Sequence, residues 1–233
     1  ILRAFLAAPL EGIDTFTALH RRLAFDLRFR YQCGLSLDRP APSISTLSRV
    51  FEELVKQNLA HQLFRDLVRQ CQEEGIIAGQ HVAIDSAAID AYEKKRPKSR
   101  SAHTGHANWG AKFDSFGNKL TWFGYKMHLA VDTHSELPIA LEVTPAHIND
   151  GDVAPDLMAQ SIEILDTKPV YFIMDAGYDQ QKNYEFAHQH GAQAIIPLNL
   201  RNEKEPPAGM MSNGTPRCTM GYEMTYWGAV KPI

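Results

Sequence analysis

Over the first 76 residues the apolar positions recur at helical spacing, and from residue 81 onward the spacing shortens to that of strands. Leu2, Phe5 and Leu6 open one apolar stripe, and Phe16, Leu19, Leu23, Phe25 and Leu27 continue at intervals near the helical period, so the pattern predicts helix through both stretches. Asp14 or Thr15 is placed to cap the second. Pro40 and Pro42 force a loop over 37–43, because proline disfavours helix at and before its own position. Ser43 or Ser45 then opens a helix that turns Leu47, Val50, Phe51 and Leu54 inward, and a further helix is expected from Leu59 to Glu74, stopped by Gly75. The change of period predicts an all-α domain over 1–76 and a second domain over 81–233.

In that second part His81 to Ile89 reads as a strand, with Val82 and Ile84 on one face and Asp85 on the other. Tyr92 to Gly117 is polar, basic and poor in core residues, which predicts a long exposed loop. Leu120 to Asp132 alternates as a strand with Trp122, Tyr125, Met127, Leu129 and Val131 as packing residues, and Leu137 to Thr144 follows after a hairpin-length connection. A helix is expected from Asp150 or Asp152 through Leu165. Val170 to Met174 is a short continuous apolar run, the pattern of a strand covered on both faces. Asp175 falls at its carboxyl end, the edge at which open α/β sheets place their ligands. Tyr184 to His190 reads as helix and Ala194 to Ile196 as a last short strand, with a Pro/Gly-rich stretch beyond Leu200.

Composition narrows the class. A chain of 233 residues with 44% hydrophobic content can bury a core. Its stretches fall short of the roughly 20 uninterrupted apolar residues a membrane helix needs, so a cytoplasmic location is expected. Cys33, Cys71 and Cys218 stand apart, which argues against a disulfide framework or a zinc site. The net charge of −3 is not that of a basic nucleic-acid binder. Its distribution is uneven, however: Lys94, Lys95, Arg96, Lys98 and Arg100 cluster in the predicted loop and form a candidate phosphate-binding stretch. Lys126 and His128 share one face of their strand; phosphate contact and an ordinary exposed face are both open readings. The helix opened by P-S-I-S-T-L-S-R-V-F is either a DNA-reading helix or part of a plain helical bundle. Asp85 and Asp175 are either strand-end caps or, if their strands are neighbours, a pair of hard oxygen ligands for Mg²⁺ or Mn²⁺.

A-I-D-S-A-A-I-D around Asp85, F-G-Y-K-M-H-L-A-V-D over 123–132 and I-M-D-A-G-Y-D around Asp175 resemble, in that order, the DDE transposases of bacterial insertion sequences, in the group whose second aspartate sits in a D-A-G-Y context. The resemblance runs from about His81 to Leu198 and more weakly through the helical segment before it. It implies a ribonuclease H-like mixed sheet with flanking helices, preceded by the all-α domain. It also implies two divalent metal ions held by Asp85, Asp175 and a later Glu, and cleavage and rejoining of double-stranded DNA at element ends without a covalent intermediate. Within that mechanism Asp85 bridges both ions and Asp175 holds one, in an active complex expected to be a homodimer. Glu203, Glu205 and Glu223 sit in surroundings unlike those of the family's third carboxylate, and the chain begins at Ile1 and stops at Ile233 without a closing element. The chain is therefore expected to be a fragment, inactive by itself. A purely hydrolytic nuclease of the same fold and a non-catalytic DNA-binding remnant are the competing readings.

Overall fold

The computed structural model describes residues 1–95, 107–113, 118–199, 205–206, 208–211 and 215–224. It divides into two compact units, 1–66 and 67–233. Of the basic stretch, Arg96, Lys98 and Arg100 lie outside the described residues, as does Glu203.

The first unit is helical: α1 (Leu2–Leu10), α2 (Phe16–Phe25), α3 (Leu27–Gln32), α4 (Ile44–Lys56) and the start of α5 (Leu59–Glu73), a helix that crosses the division. Ala4, Ala8, Leu19, Leu23, Phe29, Cys33 and Leu47 form its core. Phe5, Phe16 and Phe51 meet edge-on or tilted beside it, with centroids 5.5–6.0 Å apart. Thr15 caps α2 through the Ala18 amide, and Ser43 caps α4 through that of Thr46. The stripe from Phe16 to Leu27 is broken at Asp26, contrary to the continuous helix its periodicity suggests. Asp26 ends α2 in an extended conformation and its carboxylate accepts the Phe29 amide at 2.9 Å, capping α3. Phe25 and Leu27, either side of the break, are consequently exposed.

The second unit is built on a six-stranded mixed sheet: β1 (His81–Asp90), β2 (Asn108–Phe113), β3 (Lys119–Asp132), β4 (Pro138–Pro145), β5 (Tyr171–Met174) and β6 (Gln193–Ile195). The long β3 runs antiparallel to β1, β2 and β4, while β1, β5 and β6 are parallel neighbours. Helix α6 (Asp150–Ile164) connects β4 to β5 and packs on β3 and β4; α7 (Gln181–Gln189) leads into β6 and packs against α6. Antiparallel β1, β3 and β4, followed through a helix by strands parallel to β1, make this a ribonuclease H-like sheet. Gly124 sits where β1 and β3 approach most closely: a Cβ built there would stand 1.9 Å from the Ile89 carbonyl oxygen.

Three sequence expectations need correction. Part of the expected loop from Tyr92 to Gly117 is strand β2, paired with the first half of β3. Its Gly110 and Lys112 obscure the alternation, and Gly110 is needed because the Trp122 ring lies 2.4 Å from where a Cβ would be. On β3 the deepest positions include Phe123, His128, Ala130 and Asp132, whereas Tyr125, Met127, Leu129 and Val131 are only half-buried. Helix α6 packs on β3 and brings Asp150 to Lys126 and His128, while Asp132 is compensated by Gly79 and Ser135. On β5 only Phe172 and Met174 are buried; Ile173 is 37% exposed, so that strand is not sealed on both faces.

Candidate functional site

The β1–β5 ladder ends at the pair Ile84↔Met174, and the next residue on each strand is an aspartate. Parallel strands lie about 4.8 Å apart, so this register sets Asp85 and Asp175 side by side at the carboxyl edge of the sheet. Both are exposed. Asp85 Oδ1 accepts the Ser86 amide at 2.7 Å, and Asp175 Oδ1 accepts the Gly177 amide at 2.8 Å, where it caps a short 3-10 turn, Ala176–Tyr178. The second oxygen of each carboxylate has no hydrogen bond among the described residues. Two open carboxylates with free lone pairs suit a hard divalent cation. Among the described residues no group of three or more His, Cys, Asp or Glu side chains is placed to hold a metal ion.

A third carboxylate lies close by in a different role. Asp150, in the first turn of α6, accepts a hydrogen bond from Lys126 Nζ at 2.7 Å, and the same ammonium donates to the Ile148 carbonyl at 2.9 Å. Asp150 also stands 3.8 Å from His128 Nδ1. His128 is fully buried, with Nε2 2.9 Å from the Thr144 hydroxyl and Nδ1 without a partner. Burial lowers its pKa, and Lys126 lowers it further against the opposing pull of Asp150. The two candidate phosphate contacts on β3 thus separate: Lys126 keeps some exposure, while the His128 ring faces protein on every side and touches no solvent.

Tyr178, the last residue of D-A-G-Y, is buried beneath this group. Burial raises the phenol pKa strongly, and the negative charges of Asp150, Asp85 and Asp175 raise it further, with Ser86 partly offsetting them. The phenol therefore stays neutral beside the carboxylates. Its position was legible in the motif and its role was not. The loop around it is firmly tied. Asn183 Nδ2 donates to the Tyr178 carbonyl at 2.7 Å, and Gln180 Nε2 reaches Asn149, the N-cap of α6, at 3.3 Å. The Gln180 amide fills the space a Cβ at Gly151 would occupy.

Lys94 and Lys95 are exposed past the end of β1, and the Lys95 ammonium lies 6.0 Å from the centre of the Trp109 ring. Glu205 and Glu223 are far along the chain from this edge; Glu223 accepts a hydrogen bond from Thr215 in a short ribbon bridged at Met210↔Pro216 and Arg217↔Glu223.

The ribonuclease H-like sheet with two aspartates side by side at its carboxyl edge defines the class of domain. The Transposase DDE domain family model matches residues 78–217, more than half of the chain, and the chain belongs to that family. A second model, Transposase domain (DUF772), matches residues 1–53. Among solved structures, similarity is found to a piggyBac transposase in a synaptic complex with hairpin DNA, at 11% identity and a TM-score of 0.34 over 55% of this chain and 24% of that one. A Mos1 transposase paired-end complex with the left transposon end matches at 11% identity and a TM-score of 0.30, over 83% of this chain and 57% of that one. The chain thus spans about a quarter and rather more than half of those two. No described helix is long and apolar enough to cross a membrane.

Proposed function

We propose that the chain is the catalytic part of an insertion-sequence transposase of the D-A-G-Y group, acting in the cytoplasm on double-stranded DNA. Its reaction is metal-dependent cleavage at the element's ends followed by transfer of the freed 3′-hydroxyl to target DNA. The observation that carries the reading is the β1–β5 register, which sets Asp85 and Asp175 side by side at an exposed sheet edge within a transposase-family domain.

Asp85 and Asp175 would hold Mg²⁺ or Mn²⁺, with a third carboxylate completing the set. Bound divalent cations supply the positive charge that polarises a phosphodiester and steadies its attacking and leaving oxygens. The protein's own part is to fix the two carboxylates on adjacent strands and to keep Tyr178 neutral behind them. Lys126 pairs with Asp150, which prevents that carboxylate from adding an uncompensated charge to the edge. Lys94, Lys95, Arg96, Lys98 and Arg100 bind DNA backbone beyond β1, with Lys126 nearer the carboxylates; residues 1–76 bind the element's ends, and the working assembly is a homodimer.

The test is Mn²⁺ binding to the 233-residue chain by electron paramagnetic resonance, with nicking of end-bearing DNA followed in the same samples. Binding is expected to be weak, because two carboxylates leave a second ion short of ligands, and lost in both Asp85→Asn and Asp175→Asn. Nicking is expected to be negligible until a chain carrying the third carboxylate is used. Mn²⁺ affinity unchanged in both variants would overturn the assignment.

A further inference from the structure

We infer that Asn199 is a positioning residue for Asp175. The inference rests on the reading of Asp175 as a metal ligand and adds to it a residue from beyond the last strand, outside every motif that marks the site.

One peptide unit links the two residues. The amide of Gly177 donates to Asp175 Oδ1 at 2.8 Å, and at the other end of that same peptide the Ala176 carbonyl accepts Asn199 Nδ2 at 2.8 Å. Asn199 therefore holds the plane of the peptide whose N–H aims the carboxylate. Hydrogen bonds in such a chain polarise and strengthen one another. Its own backbone is fixed as well: the Asn199 amide donates to Asp179 Oδ2 at 2.8 Å, while Asp179 Oδ1 accepts the Tyr184 hydroxyl at 3.0 Å. Burial first, and then the bond to Asp179 and its charge, push the Tyr184 phenol pKa up to about 12. Asp179 thus ties the end of the loop to α7 and to the segment after β6.

The clamp is needed because of where Asp175 sits. The β1–β5 ladder ends at Met174, so the turn that follows is no longer paired to β1 although that strand continues to Asp90. Without Asn199 the Ala176 carbonyl keeps only the longer bond from the Asp179 amide, at 3.3 Å, and the peptide that aims the Asp175 carboxylate is held less firmly. Removing a group that orients a ligating side chain typically weakens metal affinity by about 10–100-fold.

The test compares Mn²⁺ affinity and thermal midpoint for four variants of the whole chain. Asn199→Ala removes the donor; Asn199→Asp keeps the shape and removes the donor, so it carries the same test if the alanine variant does not fold. Asp175→Asn reports the site, and Ile139→Val, in buried β4, reports general destabilisation. The expected result is a Mn²⁺ affinity about tenfold weaker in Asn199→Ala at a temperature where the variant is fully folded, with Ile139→Val within twofold of the parent despite a lowered midpoint. Affinity within twofold of the parent in Asn199→Ala, alongside lost binding in Asp175→Asn, overturns this inference and leaves the site standing. Unchanged affinity in Asp175→Asn overturns the site reading and this inference with it.

Discussion

Replacing Asp132 with Asn removes one charge from the end of β3 and tests how the sheet is fastened to the chain that enters it. Asp132 is 1% exposed. Its Oδ1 accepts the Gly79 amide at 3.0 Å, and Oδ2 accepts both the amide and the hydroxyl of Ser135, at 2.9 and 2.7 Å. Burial alone would raise its pKa, but the bonds from Ser135, Gly79 and Ala78 outweigh that and hold it below the usual carboxylate value. An amide at this position has one oxygen. Turned to Ser135, it sets its NH₂ against the Gly79 N–H, two donors face to face in a buried site. The loss of one charge-assisted bond and the stranding of one amide together cost about 2–4 kcal/mol. At roughly 2–4 °C per kcal/mol for a domain of this size, the midpoint falls by about 4–16 °C. Trp109, Trp122 and Trp227, all the tryptophans of the chain, lie in the second unit, so fluorescence-detected urea unfolding reads that unit alone. The pH dependence has a definite sign. A depressed folded-state pKa gives stability that is complete above the unfolded value of about 3.9 and is lost as pH falls through the folded one. The gap between parent and variant is therefore flat from about pH 5 to 8 and narrows below about pH 4. A gap under about 0.5 kcal/mol, or one that stays constant down to pH 3, refutes the reasoning.

Gly124→Ala is expected to cost several kcal/mol, more than the roughly 1–3 of ordinary overpacking, because its Cβ would stand 1.9 Å from the Ile89 carbonyl oxygen and neither backbone can move without breaking the β1–β3 ladder; a thermal midpoint within a few degrees of the parent by circular dichroism refutes it. Neutralising Lys94, Lys95, Arg96, Lys98 and Arg100 together is expected to weaken duplex binding whatever the sequence and to flatten its salt dependence, by up to about 0.9 of slope per lost phosphate contact; an unchanged slope in a fluorescence-anisotropy titration refutes the assignment of that stretch.

The helices and the site's two strands were legible because their signals are local. Caps such as Thr15 and Ser43 act within three residues, and the apolar runs around Asp85 and Asp175 mark strands whatever their neighbours. What stayed hidden depends on partners distant in sequence. Nothing near Lys126 or His128 says that α6 will cover them and that Asp150, 24 residues after Lys126, will take the ammonium. Asp26 reads as a polar interruption of a stripe, and only its bond to the Phe29 amide makes it the junction of two helices. Strand β2 was lost because a glycine demanded by a tryptophan on the opposite strand looks, in one dimension, like loop. Asn199 carries no signal of its own, since its value lies in meeting a peptide 23 residues earlier.

The two aspartates stand on unequal footings. Asp85 lies in the middle of a strand paired to β3 without interruption from Val82 to Asp90, so its Cα can shift only if that ladder opens. Asp175 begins a turn after a four-residue strand, and its position is set by side chains from α7 and the segment beyond β6. Local opening in proteins starts where few backbone ladders cross. The carboxyl edge thus holds its two aspartates in unlike ways: Asp85 by a continuous backbone ladder, and Asp175 by side-chain hydrogen bonds reaching in from elements later in the chain.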